Sequence, residues 1–436
     1  MGVMIIAKGA VQPDQEVKGA AMELLRQLMS NKLDGGQKQQ AAPPEPPKAL
    51  DIEVWSAAGI DATKIPPREF LLGNVFARTF VSSLFADGAT GKTTLRIAQA
   101  LALASGRRLT EERVHKRCNV LLMCFEDDAD ELKRRVAAAR MHHKITDEEI
   151  GDRLHLATPG LSAGKLMVID PGTRQPALSN LAPTVEQLVT KYRIDLVILD
   201  PLKKIHGVEE NSNDHMDAVV QTLTDMASRL NIAIDLPHHM AKGTPDPGNA
   251  NRGRGASALK DAIRLGYTMT HMSAEEAKAF HIPEDDRKQY VRVDPAKVNI
   301  ARQGRSAQWF KLISQNIGNG THEYPNGDDV QAIVPWTPPD LMAGMDGVTC
   351  HRILMEIRDG LENGERYTDA SRATDRCVSV AFGMHVQNKS ASDARQIVGK
   401  WIKDGVVRVE DYKSPVTRKT LKGLFVSRVL AEPENA

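Results

Sequence analysis

The segment ADGATGKT has the residue types and the spacing of a phosphate-binding loop. It matches the pattern Gly-x-x-x-x-Gly-Lys-Ser/Thr, except that Ala86 stands where the pattern has its first glycine. Gly88 and Gly91 would let backbone N–H groups wrap phosphate oxygens without Cβ clashes. Lys92 would reach the β- and γ-phosphates, and the Thr93 hydroxyl would bind Mg²⁺. This spacing predicts a site for a nucleoside triphosphate and its magnesium ion.

The residues on either side of this segment favour a true phosphate loop over a chance match in a turn. VSSLFA precedes it and predicts a short buried strand, while TTLRIAQALALASG follows it with the apolar spacing of a helix. The positive N-terminus of that helix would then face the phosphates. We therefore predict that ATP is bound through Asp87, Gly88, Ala89, Thr90, Gly91, Lys92, Thr93 and Thr94.

Two carboxylates stand at the ends of further apolar stretches. Asp200 closes LVILD, a pattern that carries one carboxylate to the carboxyl edge of a strand buried on both faces. There it would order the Mg²⁺ shell through water, so that Thr93 and Asp200 form the predicted metal site. Glu126 follows the apolar stretch NVLLMCF, where it would orient and deprotonate the attacking water. The alternative is that acids here only decorate a helix N-terminus, which is our interpretation of Asp127 and Asp128.

A histidine pair and a basic loop follow another apolar strand, in LPHHMAKG. A polar side chain at this strand end would sense the γ-phosphate, and we assign that role to His239 rather than His238; the alternative is a purely structural role. The next segment, KGTPDPGNANRGRG, is basic at Lys242, Arg252 and Arg254. Such loops are usually just solvated. In a ring of subunits, however, this position would line a central channel and track a nucleic-acid backbone.

The bulk composition places few limits on partners. Of 436 residues, 57 are Lys or Arg and 56 are Asp or Glu, so the formal net charge of +1 argues neither for nor against nucleic acid. Aromatic residues make up only 4%, which disfavours a surface with many base-stacking side chains. The four cysteines show no CxxC pairing, no apolar run has the length of a membrane span, and the start lacks a signal-peptide pattern. We expect a cytoplasmic protein with reduced thiols and no membrane segment.

The order of apolar and polar stretches predicts three regions. Residues 1–50 hold an amphipathic helix, either weakly ordered or an arm for a neighbouring subunit, and the linker GGQKQQAAPPEPPK. Residues 51–337 alternate apolar strands with helical patterns, which predicts an α/β core in which helices flank a parallel sheet. After WTPPDLMAGMDG, residues 338–436 show helical patterns followed by a β-hairpin, which indicates a winged-helix-like domain.

The last region contains a local excess of basic residues that the net charge of the whole chain does not show. A predicted recognition helix, Ser392 to Lys403, and a predicted wing, Lys413 to Lys422, would contact the phosphates of duplex DNA. The alternatives are a protein-binding domain or an ordinary solvated face. The basic residues of this stretch are Lys389, Arg395, Lys400, Lys403, Arg408, Lys413, Arg418, Lys419, Lys422 and Arg428.

Taken together, these motifs resemble those of RecA-like P-loop ATPases, in particular the RepA-type hexameric helicases of plasmids and phages. The similar segments are ADGATGKTTL, CFEDD with Arg134 or Arg135 after it, LVILDPLKKIHGVEEN, PHHMAKG and RGASALKDAIR. They extend over about Pro66 to Arg264. The resemblance implies a RecA-like core, a homo-hexameric ring with active sites at subunit interfaces, and single-stranded DNA in the channel beside Lys242 and Arg252.

The resemblance also assigns a role to each motif. The implied roles are nucleotide and metal binding for Lys92 and Thr93, catalytic base for Glu126, Walker B acid for Asp200, sensor for His239 and arginine finger for Arg264. An arginine inserted from a neighbouring subunit stabilises charge on the transferring phosphoryl group, and Arg254 is the competing candidate. The N-terminal extension and the C-terminal domain depart from a minimal RepA-type helicase.

Three functions fit these residues. The first is a DNA-dependent motor that hydrolyses ATP around a ring and moves or unwinds DNA. The second is an ATP-switched DNA-binding regulator or initiator without unwinding activity. The third is a recombinase-like filament, since an interface that does not close into a ring generates an open helical polymer.

Overall fold

The computed structural model describes residues 53–160, 164–240, 246–250, 256–302, 307–370, 372–387 and 389–428. The chain divides into two compact units, Met1–Pro66 and Pro67–Ala436. In the first unit, the described residues 53–66 contain a short 3-10 turn, Ala62–Lys64, whose N-terminus is capped by the side chain of Asp61. The second unit contains the phosphate loop.

The described residues of the second unit form the following elements. The strands are β1 (Phe70–Leu72), β2 (Phe76–Ala77), β3 (Val81–Ala86), β4 (Val120–Cys124), β5 (Leu154–Ala157), β6 (Met167–Ile169), β7 (Pro176–Leu178), β8 (Leu196–Asp200), β9 (Ala233–Asp235), β10 (His238–His239), β11 (Leu265–His271), β12 (Tyr290–Val298), β13 (Gln308–Asn316), β14 (Asp329–Pro335), β15 (Val407–Lys413) and β16 (Thr420–Val426). The α-helices are α1 (Lys92–Ser105), α2 (Ala129–His143), α3 (Asp147–Ile150), α4 (Leu181–Tyr192), α5 (Leu202–Ile205), α6 (Asn213–Arg229), α7 (Ala256–Ala262), α8 (Ala274–Ala279), α9 (Gly347–Asp359), α10 (Val378–His385) and α11 (Ala391–Lys403). Within the described residues, no helix combines the length and the apolar character that crossing a membrane requires.

Six parallel strands form the centre of the main sheet in the described residues. Across the sheet they lie in the order β11-β3-β9-β8-β4-β5, and β10 continues alongside the end of β3. Strand β9 therefore separates β3, which leads into the phosphate loop, from β8, which ends at Asp200. With helices on both faces, this sheet confirms the predicted α/β class with a parallel sheet.

Strands β4 and β8 are buried and almost entirely apolar, because both faces of the sheet are covered there. In β8, Val197 and Leu199 pack into the core that α4 and α6 cover, whereas Leu196 and Ile198 pack into the core that α1 and α2 cover. Successive side chains of a strand point to opposite faces, so one continuous apolar run fills two cores. This packing fixes the strand and brings its last residue, Asp200, to the carboxyl edge of the sheet.

A buried ion pair ties the helix after the phosphate loop to the sheet. Arg96 of α1 donates two hydrogen bonds to Asp235 of β9, at 2.7 and 2.8 Å, and both side chains are fully buried. Ser82 of β3 donates a further hydrogen bond to Asp235 at 2.7 Å. Removing one partner of such a pair leaves an uncompensated buried charge, at a typical cost of about 3–5 kcal/mol. The pair therefore fixes α1 against β3 and β9.

An antiparallel extension continues the sheet beyond β11 and folds over the phosphate-loop helix. Strand β12 pairs with β11, β13 with β12, and β14 with β13. Leu312 of β13 and Ile333 of β14 share a hydrophobic cluster with Leu95 and Ala98 of α1. The ring of His143, at the end of α2, lies 3.1 Å from the carbonyl oxygen of Ile333. The extension thus places β13 and β14 next to the start of α1.

The C-terminal residues build a helical cluster with a β-hairpin. Ile353 of α9, Phe382 of α10 and Trp401 of α11 pack together with Leu424 of β16. Strands β15 and β16 pair antiparallel over their whole length. Helix α11 and the hairpin loop lie where the sequence predicts the recognition helix and the wing, whereas α10 has no counterpart in the sequence prediction.

The N-terminal half of α11 contacts the α/β core. Asp393 Oδ1 lies 2.7 Å from Nε2 of His281, and Gln396 donates a hydrogen bond to a backbone carbonyl at the end of α8 at 3.4 Å. Because these side chains face the core, the exposed part of the predicted recognition helix is its C-terminal end, which carries Lys400 and Lys403.

Candidate nucleotide-binding site

The phosphate loop joins the end of β3 to the first turn of α1. Gly91 has a φ of 95° and Ala89 a φ of 59°, so both adopt the left-handed region that favours glycine. A Cβ at position 91 would also lie 2.9 Å from Cδ2 of Leu312, closer than carbon atoms approach each other. Glycine is therefore required at position 91 by its backbone and by the nearby strand β13. The first N–H groups of α1 have no partner within the helix and can bind phosphate oxygens.

Lys92 lies folded against the loop that precedes it. Its Nζ donates to the carbonyl oxygens of Ala86 and Asp87, at 3.2 and 3.0 Å, and lies 3.2 Å from Nδ1 of His239. Burial lowers the pKa of Lys92, and the nearby carboxylates oppose that shift. Phosphate oxygens make stronger, charge-assisted hydrogen bonds than backbone carbonyls do. The ammonium group is thus placed to exchange these carbonyls for a phosphate.

Thr93 and Asp200 bring two oxygen atoms together at the carboxyl edge of the sheet. The Thr93 hydroxyl donates to Asp200 Oδ2 at 2.6 Å. Burial raises the pKa of Asp200 to about 6, against the lowering effect of that hydrogen bond. Hydroxyl and carboxylate oxygens are hard donors that suit Mg²⁺, which typically keeps few protein ligands and completes its shell with phosphate and water. The pair therefore fits the metal ion that the phosphate loop implies.

Asp200→Asn is expected to stabilise the protein at neutral pH when Mg²⁺ is absent. The pKa of Asp200 rises from 3.8 to about 6 on folding, so the stabilising contribution of its protonated form is complete below pH 3.8 and is lost as the pH rises through about 6. Above that range the loss is about 3 kcal/mol, which the non-ionising amide would recover. Denaturant unfolding of both proteins in the presence of a chelator measures this difference in the free energy of unfolding. The difference should vanish in acid, where Asp200 is protonated. Equal free energies of unfolding at neutral pH would contradict it.

Glu126 and His239 face each other beside Lys92. His239 Nε2 lies 3.7 Å from Glu126 Oε2, while the other ring nitrogen faces the lysine. Burial, and then the charge of Lys92, lower the pKa of His239, which favours the neutral ring. An ammonium group can only donate, so Nδ1 accepts from Lys92 and the ring proton sits on Nε2, toward Glu126. These three side chains form a polar chain from the phosphate loop to the predicted base.

Strand pairing explains why the predicted residues meet. Cys124 pairs with Asp200 across β4 and β8, and His239 pairs with Ala86 across β10 and β3. These strands are parallel, so their carboxyl ends lie at one edge of the sheet. The predicted site residues that the structure brings to this edge are Asp87, Gly88, Ala89, Thr90, Gly91, Lys92, Thr93, Thr94, Glu126, Asp200 and His239.

All of these residues except Asp87 and Gly88 line a cavity of about 490 Å³, one wall of which the sequence did not predict. Asp329 and Gln331 of β14 form that wall, and the Thr94 hydroxyl donates to Gln331 Oε1 at 3.2 Å. Arg134 of α2 also lines the cavity and pairs with Asp328 at 3.1 Å. Thr94 and Gln331 are 237 positions apart in the chain, so no local sequence pattern joins them.

Arg264 lies at the opposite edge of the sheet from the phosphate loop. It directly precedes β11, whose first residue pairs with Ser82 near the start of β3, whereas the loop follows the end of β3. The Arg264 side chain is exposed, beside a groove of about 420 Å³ that Asp217 and Gln221 of α6 also line. The sequence placed this arginine in a helix or turn, and the structure ends the helix at Ala262. Arg264 is therefore not part of the cavity of its own chain.

Of the basic loop after β10, the structure describes residues 246–250. Lys242, Arg252 and Arg254 lie outside the described residues. Their assignment to a DNA channel, and the choice between Arg254 and Arg264 as the arginine finger, remain predictions.

A continuous part of the chain matches a known family. Residues 43–245 match the family model of an AAA domain, and this range contains the phosphate loop, Glu126, Asp200 and His239. The match agrees with the parallel sheet, in which β9 separates the strand before the loop from the strand that ends at Asp200. This part of the chain is similar to an AAA domain, and its parallel sheet is that of the predicted α/β class. Among solved structures, the chain is similar to a KaiC-like protein from the hyperthermophilic archaeon Pyrococcus horikoshii, with 13% identity and a TM-score of 0.37, over 60% of this chain and 91% of that chain. At that level the likeness carries no conclusion about activity.

Proposed function

We propose that this ATPase is a ring-forming, ATP-hydrolysing DNA helicase or translocase of the RepA type, acting in the replication of a phage, plasmid or other mobile element. The observation that carries the proposal is the exposed position of Arg264, at the sheet edge opposite its own cavity. Arg134 and Arg135, which do line the cavity, are already paired with Asp328 and Asp127. An arginine supplied by the next subunit would complete each site, which supports a homo-oligomer and, with closed symmetry, a ring. The resemblance to RepA-type helicases implies that this ring is a hexamer.

Each side chain of the site would have a distinct task in hydrolysis. Lys92 would leave the loop carbonyls and bind the phosphate oxygens. Thr93 and Asp200 would hold Mg²⁺, which neutralises phosphate charge when it is bound. Glu126, which faces the cavity, would orient the attacking water and accept its proton. When Lys92 moves to the phosphate, Nδ1 of His239 would lose its hydrogen-bond donor. The contact between His239 and Glu126 would therefore change with the bound nucleotide.

DNA contacts are proposed for two basic regions. The loop with Lys242 and Arg252 follows β10 in the chain, directly after the proposed sensor, which would couple nucleotide state to single-stranded DNA in a channel. The C-terminal residues, which we interpret as a winged-helix domain, expose Lys400, Lys403 and Lys419 on α11 and the hairpin loop. These side chains would contact the phosphates of duplex DNA.

Strand separation on a forked duplex tests the proposed motor. We expect ATP-dependent unwinding that weakens as salt rises, because backbone contacts release counterions from the DNA. Lys92→Ala, which cannot hold the triphosphate, should abolish unwinding. If the wild-type protein hydrolyses ATP but separates no strands at any salt concentration, the helicase proposal is wrong. A translocation assay would then decide whether the protein is still a DNA motor.

An ATP-switched DNA-binding regulator or initiator is the second candidate. The contact of Asp393 and Gln396 with the core favours it, because that contact ties the predicted recognition helix to the ATPase. Slow hydrolysis that is indifferent to single strands, together with preference for one duplex sequence, would support the regulator over the motor.

A further inference from the structure

The cavity wall formed by β14 presents a side-chain amide to the nucleotide site. Gln331 lines the cavity and accepts a hydrogen bond from the Thr94 hydroxyl through Oε1. An amide oxygen has two lone pairs and the NH₂ group has two donors, so this contact leaves both an acceptor and donors for a ligand. Gln331 pairs with Ser314 in the register of β13 and β14, and the next residue, Ala332, is fully buried. The amide is therefore held by a packed strand rather than by a loop.

Gln331 and the predicted catalytic residues lie on different sides of the first turn of α1. Lys92 contacts His239, and Thr94 contacts Gln331. Two residues correspond to about 200° around a helix, so the two contacts point away from each other. Because Glu126 lies on the His239 side, the reacting end of a triphosphate would face that side. The nucleoside would then extend toward β14.

We propose that Gln331 selects adenine as the base at this site. An amide can donate to N7 and accept from the 6-amino group of adenine at the same time. Guanine presents two acceptors, N7 and O6, on the same edge. One of these two atoms would face the amide oxygen, and neither carries a hydrogen to donate. The inference rests on the proposed nucleotide-hydrolysing function of the cavity and adds the identity of the base to it.

Calorimetric titration of the full-length protein with the magnesium complexes of ATP, GTP and tripolyphosphate tests this assignment. Gln331→Ala should weaken ATP binding about tenfold and leave GTP and tripolyphosphate unchanged, so that the preference for ATP over GTP disappears. Gln331→Glu should also weaken ATP binding, because its carboxylate can still accept from Thr94 but has no NH₂ group to donate to N7. Gln315→Ala is the matched control, since Gln315 is a partly exposed glutamine of β13 outside the cavity lining and should change none of the three affinities.

Two other results would overturn the assignment. A loss shared by ATP, GTP and tripolyphosphate in Gln331→Ala, with recovery in Gln331→Glu, would mean that Gln331 only supports Thr94 and the phosphate loop. An unchanged ratio of ATP to GTP affinity would also exclude base selection by Gln331, while leaving the hydrolytic function intact. A wild-type protein that binds none of the three ligands would instead overturn the nucleotide function, and this inference with it.

Discussion

Arg264→Ala is expected to keep ATP binding and to lose about a thousandfold or more in ATP turnover. An arginine at the transferring phosphoryl group stabilises charge that develops only in the transition state, and such residues contribute about 10³–10⁵ in rate. Arg264 is exposed and lies at the sheet edge opposite the phosphate loop of its own chain. Its removal should therefore leave the chain's own cavity unchanged. Steady-state turnover and ATP affinity, measured on one preparation, separate the two effects.

A matched surface substitution and a mixing experiment make this prediction specific. Arg229→Ala is the control, because Arg229 is also an exposed arginine, at the end of α6, and pairs only at the surface with Glu186. Protomers with Arg264→Ala mixed one to one with Glu126→Gln protomers should recover up to about a quarter of wild-type turnover, since about one interface in four then holds both native residues. Full turnover in Arg264→Ala would place the finger elsewhere, with Arg254 as the next candidate. A mixture without recovery would contradict a site shared between subunits.

Glu126→Gln should bind ATP with nearly native affinity but hydrolyse it about 10²–10⁴-fold more slowly. Glutamine preserves the size of the side chain and its ability to hydrogen bond, but it cannot accept the proton of the attacking water. Glu126 lines the cavity and faces His239 at 3.7 Å, so the substitution changes the proton acceptor without opening a void. Single-turnover hydrolysis measures this step apart from product release.

The control for this substitution is a glutamate far from the cavity. Glu148 is exposed in the short helix α3, and Glu148→Gln should hydrolyse ATP at the wild-type rate. Unimpaired hydrolysis in Glu126→Gln would exclude Glu126 as the base and direct attention to Asp127, which follows it in the chain.

The centre of the parallel core was predictable because β3, β4 and β8 are buried throughout. VSSLFA and LVILD are apolar runs of strand length, and they form β3 and β8 as expected. The helix that becomes α1 was recognisable from its apolar spacing and from Gly106, which caps it in a left-handed conformation. In each case the local pattern and the tertiary packing favour the same structure.

The antiparallel extension and α10 were not predictable on these grounds. Strand β13 mixes apolar residues such as Leu312 with polar ones such as Lys311, because one face packs on α1 and the other is partly exposed. Its position in the sheet depends on pairing with β12 and β14, not on a local periodicity of apolar residues. Helix α10 has the sequence VSVAFGMH, which contains two β-branched valines and a glycine, and is helical because Val378 and Phe382 pack into the C-terminal core. Tertiary contacts override local propensity there.

Part of the candidate site was likewise predictable from the sequence, and part was not. Glu126, Asp200 and His239 end strands, and parallel strands bring their ends to one edge, so the sequence pattern was sufficient to group them. Gln331 reaches the cavity through a contact with Thr94 across 237 positions, which no motif records. The sequence also identified Arg264 as a candidate, but only the strand register shows that it faces away from its own cavity.

The most direct test of the central claim is the steady-state rate of ATP hydrolysis by the purified full-length protein, with and without single-stranded DNA, beside Lys92→Ala. Lys92 is buried within the phosphate loop. Among the described residues, the contacts that a triphosphate would replace are those of its ammonium group with the carbonyls of Ala86 and Asp87 and the ring of His239. We predict Mg²⁺-dependent hydrolysis that single-stranded DNA stimulates and that Lys92→Ala abolishes. Hydrolysis that persists in Lys92→Ala would show that this loop is not the active site. Wild-type hydrolysis that single strands leave unchanged would contradict the DNA motor.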